Sequence, residues 1–103
     1  MEQLLTYFPA IRANTLEDIC REYHIQTLSL FGSVLHGDSS SDSDLDLLVK
    51  FESGHVPGFS FAQIQEELTT LFGRTVDLHT ENSLSKYFRD AIVKEATSVY
   101  GKS

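Results

Sequence analysis

Apolar positions along the chain follow two rhythms that take turns. After residue 13, Leu16, Ile19, Cys20 and Tyr23 recur at helical spacing, with Asn14 or Thr15 placed to cap the helix. Residues 27–31 change to a two-residue rhythm carried by Leu28 and Leu30 and end at Gly32, which predicts a strand. A second strand is expected over Leu45–Phe51, after the serine-rich turn Ser39-Ser40-Ser41. Residues 52–58 contain two glycines and a proline and read as a loop. Ser60 can cap a second helix whose stripe is Phe61, Ile64, Leu68, Leu71 and Phe72, with Gly73 suited to its C-terminal end. Residues 75–79 form a short β-like run. Leu84, Phe88, Ala91, Ile92, Ala96 and Val99 then mark an amphipathic last helix. This alternation predicts an α/β (α+β) sandwich, a small mixed sheet flanked by helices. With 103 residues, one domain spanning 1–103 is expected.

Composition narrows the function. Hydrophobic residues make up 41% and charged residues 22%, which excludes disorder as the default. No apolar run reaches the roughly 20 residues needed to cross a bilayer, and Met1-Glu2-Gln3 does not begin a signal peptide, so a cytoplasmic protein without membrane contact is expected. The lone Cys20 falls on the apolar side of the first helix and reads as a core residue. A net charge of −7 argues against direct binding of a nucleic-acid duplex, which wants a dense basic patch. It leaves room for nucleotide chemistry in which a metal ion supplies the positive charge.

That chemistry is written in residues 31–49. Alternation along a strand sends Asp44 and Asp46 to one side, while Leu45, Leu47 and Val49 turn to the other. Paired carboxylates repel each other, and a hard cation between them removes the penalty. Asp-x-Asp alone is common on solvated strand edges. Here it follows Gly32-Ser33, placed directly after a predicted strand, where a glycine lets the backbone approach a phosphate. A short helix starting at Val34 would add free N–H groups and the Ser33 hydroxyl to such a site. Asp77, in Val76-Asp77-Leu78, joins the other two acids if its strand pairs beside theirs. Two metals clamped by three carboxylates suit in-line displacement at phosphorus. Lys50 shares the Asp46 side in a regular strand and is expected in solvent near the strand end. Glu66-Glu67 reads as a solvated helix face. His24, His55 and His79 are scattered without metal-ligand spacing and are expected at the surface or at strand ends, whereas His36 lies within the phosphate segment.

Gly32-Ser33, ten intervening residues and Asp44-x-Asp46 resemble the signature of polymerase β-type nucleotidyltransferases. Within that superfamily the chain is most similar to the minimal nucleotidyltransferase (MNT) group, the MntA-like antitoxins paired with HEPN-domain toxins. The resemblance spans nearly the whole chain, from the strand before Gly32 through Asp77 to a final helix ending near Tyr100. It implies that Gly32 and Ser33 hold the triphosphate of ATP. It also implies that Asp44, Asp46 and Asp77 are catalytic residues binding two Mg²⁺ ions, with Asp77 as general base. The activity implied is transfer of AMP to a hydroxyl, a tyrosine in the leading reading, of a HEPN RNase toxin, which is thereby neutralised. Alternatives are an antitoxin acting by contact alone and nucleotidyl transfer to a small molecule, the latter disfavoured because 103 residues leave no room for an acceptor domain. Many relatives carry a small residue and an arginine before the second glycine, where this chain has Leu35 and His36.

Overall fold

The structure, a computed structural model, describes residues 11–32 and 44–101. Helix α1 (Ala13–Glu22) leads into strand β1 (Ile25–Phe31), and β2 (Leu45–Phe51) precedes helix α2 (Ser60–Phe72). Strand β3 (Val76–His79), a 3₁₀ turn at Glu81–Ser83, helix α3 (Arg89–Glu95) and strand β4 (Thr97–Tyr100) complete the order. Among the described residues the four strands form one mixed sheet, β3-β2-β1-β4, in which β1 is antiparallel to β2 and β4 while β2 and β3 are parallel. The expected α/β architecture of a mixed sheet with flanking helices is the one observed.

The strand rhythm divides the sheet into two unlike faces. Leu28 and Leu30 of β1, Leu45, Leu47, Val49 and Phe51 of β2, Val76 and Leu78 of β3 and Val99 of β4 are all buried in one cluster. Leu16, Ile19 and Cys20 of α1 and Ile64, Leu68 and Phe72 of α2 close over them. Burial pushes the Cys20 thiol up to about 12, with Glu17 adding to the shift, so the group is an inert part of the core. Tyr23 donates its hydroxyl hydrogen bond to the Glu67 carboxylate and ties α1 to α2. Glu67 is therefore half-buried and partnered, unlike its exposed neighbour Glu66.

Helix boundaries differ from the expected ones by a residue or two. α1 begins at Ala13, with Arg12 as N-cap and no side-chain cap, so neither Asn14 nor Thr15 fills that role. Ser60 is the first residue of α2 and Phe59 its N-cap. Gly73 does end α2, left-handed at φ 70°, and its N–H reaches Thr69 O at 2.9 Å.

The larger departure is at the C-terminal end, where one long helix was expected. The helix stops at Glu95, Ala96 turns extended at φ −56°, ψ 137°, and residues 97–100 pair with β1. Ala96 and Val99 do fall at helical spacing, but Thr97, Val99 and Tyr100 are also strand formers. The free edge of β1 decides the matter, because pairing satisfies its backbone groups and buries Val99 completely.

Gly101 ends β4 at φ +77°, and a Cβ there would lie 2.1 Å from the Gln26 carbonyl oxygen. Gly101→Ala should cost at least about 1–2 kcal/mol from the left-handed backbone alone, and more from the clash. Gly58→Ala, where nothing lies within 4 Å of the added carbon, should be near neutral. Urea unfolding of the two variants checks this, and equal stabilities would contradict a terminal strand docked on β1.

Candidate active site

The second face of the sheet carries the candidate residues. Phe31 lies opposite Asp46 across β1 and β2, Asp46 lies opposite Asp77 across β2 and β3, and Leu48 lies opposite His79. The parallel register thus sets Asp46 and Asp77 side by side, as expected for strands that pair in this way. Two α2 side chains hold β3 in place from its outer edge. Val76 N–H donates to Thr69 Oγ1 at 3.0 Å and Leu78 N–H to Gln65 Oε1 at 3.1 Å. These are the donors an edge strand would otherwise leave to water.

A third group completes the cluster. His79 Nε2 stands 3.1 Å from Asp77 Oδ2 and 3.7 Å from Asp46 Oδ1. One donor atom from each of the three residues lies within 4.8 Å of the others. The Phe31 ring meets the imidazole edge-on, with centroids 5.4 Å apart. The absence of metal-ligand spacing predicts only a surface or strand-end place for His79. It is the last residue of β3, but its ring turns to the acids. The signal was available: the alternation that pairs Asp44 with Asp46 also pairs Asp77 with His79, two residues on.

Asp44 immediately precedes β2 and is exposed. Its charge reaches Asp46, yet it stands outside the compact Asp46–Asp77–His79 group. Gly32 follows β1 at φ +83°, and a Cβ on it would fall 2.5 Å from Asp46 Oδ2. Any other residue would displace that carboxylate. Ser33, the Val34–Gly37 segment with Leu35 and His36, and the serine turn lie outside the described residues. Lys50 is exposed on the Asp46 face and lines a cleft of about 170 Å³ with Ser29, Leu48, Val93 and Ala96.

The family model for polymerase beta, nucleotidyltransferase, matches residues 14–103. The chain belongs to this family. It is 30% identical over 84 residues to the protein adenylyltransferase MntA of Thermococcus cleftensis, covering 81% of this chain and 83% of that protein. It is similar to a chain in the crystal structure of a toxin-antitoxin with AMP-PNP, at TM-score 0.70 and 21% identity over 90% of this chain and 76% of the other. It is also similar to a chain in the structure of a tri-AMPylated Shewanella oneidensis HEPN toxin in complex with MNT antitoxin. There the TM-score is 0.57 and the identity 21%, covering 99% and 74% of the two chains. At these identities the two structures establish a shared fold.

The donor set of this nucleotidyltransferase fits a divalent cation. Burial raises the Asp46 carboxyl above its ordinary value; His79 pulls it down, and Asp77 and then Asp44 push it up again. Negative charge is thus held here against desolvation and against like charge, a conflict that a bound cation relieves.

A raised carboxyl in the folded chain means that the fold binds this proton more tightly than the unfolded chain does. Stability contributed by that proton is complete below the ordinary carboxylate range and is lost as pH rises through the raised value. Without metal, Asp46→Asn should therefore melt higher than the parent near neutral pH, and the gap should close below about pH 4. Adding a divalent cation should raise the parent's melting temperature and leave the variant's unchanged. Thermal melts with and without chelator measure both, and a variant less stable than the metal-free parent at neutral pH would refute this account of Asp46.

Proposed function

We propose that this chain transfers AMP from ATP to a side-chain hydroxyl, a tyrosine, of a cognate HEPN-domain RNase toxin and so neutralises it. The observation that carries the reading is the in-register pair Asp46–Asp77, with Gly32 directly against the Asp46 carboxylate. Support comes from the likeness to an adenylyltransferase named MntA and to the fold found in a complex with an AMPylated HEPN toxin. The ATP analogue AMP-PNP in a structure of the same fold supports ATP as the donor. In this reading the domain acts in the cytoplasm.

In this reading Gly32 and Ser33 receive the triphosphate. Asp44, Asp46 and Asp77 hold two divalent ions, Mg²⁺ in the first instance, and these ions when bound neutralise charge on the phosphoryl oxygens. The acceptor oxygen bonds to the α-phosphorus as the bond from that phosphorus to the α–β bridging oxygen breaks. Pyrophosphate leaves opposite, and the proton of the acceptor hydroxyl passes to the Asp77 carboxylate. Asp77, the more exposed of the paired acids at 53% against 30% for Asp46, is the one an acceptor can reach. The protein's own contribution is position and field.

Mixing the chain with ATP, Mg²⁺ and the toxin should add adenylate mass to the toxin, read by intact-protein mass spectrometry. Asp46→Asn and Asp77→Asn should each slow that gain by more than about a hundredfold. Toxin neutralisation that survives the double variant would instead identify an antitoxin acting by contact. Mass gain on a small molecule, with none on the toxin, would move the acceptor.

A further inference from the structure

The acids of the site account for two of the three donors gathered on this face. We infer that His79 is a third protein ligand, through Nε2, at the divalent ion between Asp46 and Asp77, making a mixed nitrogen–oxygen site that takes Mn²⁺ in preference to Mg²⁺. The inference rests on the metal-dependent reading above and refines it.

Three observations support it. The first is spacing. On an octahedral ion with ligands at ~2.1 Å, adjacent donors lie ~3.0 Å apart and opposite ones ~4.2 Å. The Nε2 separations of 3.1 Å to Asp77 and 3.7 Å to Asp46 fall at and between these values. The second is direction. His79 follows Asp77 by two residues on β3, so backbone alternation alone sends its ring to the acid face. The edge-on Phe31 ring then flanks the imidazole and limits the orientations open to it. The third is access. The imidazole is about a quarter exposed, neither sealed in the core nor free in solvent.

A ligand set of two carboxylates and an imidazole is not the set that Mg²⁺ favours. Mg²⁺ binds through oxygen and keeps its waters, whereas imidazole nitrogen favours the first-row transition ions. Mn²⁺ accepts both donor types and keeps octahedral geometry, so the site can exchange one ion for the other without rebuilding.

The test uses the full chain with Mn²⁺, with and without a non-hydrolysable ATP analogue. Electron spin-echo envelope modulation should show a directly bound imidazole nitrogen on Mn²⁺, and His79→Gln should abolish that coupling. Titration of free Mn²⁺ by its paramagnetic resonance signal should show affinity falling at least about tenfold in His79→Gln. Competition should show Mg²⁺ affinity changing by much less. Circular dichroism melts confirm that the variant folds, and His79→Asn serves as the substitute if it does not. Bound Mn²⁺ without nitrogen coupling would overturn the inference, leaving His79 as a hydrogen-bond partner of Asp77 and the metal reading intact. Absence of Mn²⁺ binding under both conditions would overturn the metal reading as well.

Discussion

The site depends on one parallel pairing, four residues long, between β2 and the edge strand β3. Its register is enforced from three directions. On the core face, Leu45 lies opposite Val76 and Leu47 opposite Leu78, so a slip of one residue would carry Asp77 into the hydrophobic cluster and Val76 out of it. From the outer edge, Gln65 and Thr69 of α2 accept the N–H groups that β2 does not use. At its start, Leu45 N–H donates to Thr75 O at 2.8 Å, joining the two strands before either carboxylate is reached. Asp46 and Asp77 meet because apolar residues on the opposite face fix them there.

That meeting has an energetic cost. Two carboxylates are held together in a chain of net charge −7, and the half-buried one is displaced from its ordinary proton affinity by desolvation and by like charge. His79 offsets part of the conflict by standing within reach of both acids. Gly32 leaves room for the Asp46 carboxylate, at the expense of a backbone conformation that few other residues adopt. Like charge is thus gathered at a cost to stability, a conflict that a bound cation would relieve.

Much of this was legible in the sequence. Two-residue alternation located β1 and β2, turned Asp46 away from Leu45, Leu47 and Val49, and allowed Asp77 to be read as a partner acid. Two things escaped. The last segment satisfies helical and strand patterns at once, and its choice depends on the vacant edge of β1, a tertiary fact with no local signature. Asp44 and Asp46 look equivalent in the tripeptide, yet Asp44 precedes β2 and is exposed while Asp46 is packed between Phe31 and Asp77. His79 is a different case. A metal-ligand search that counts cysteines and histidines passes over a single imidazole beside an acid, although strand geometry had already assigned it a direction.

The same two-residue rhythm separates folding from chemistry in this small domain. Odd-numbered positions of β2 and even-numbered positions of β3 face α1 and α2 and make the core; the intervening positions face the site. Each strand therefore carries two independent sets of constraints. Volume and hydrophobicity govern one set, while charge and donor type govern the other. Donor type on the acid face, a carboxylate at position 77 and an imidazole at position 79, is therefore set independently of the core residues.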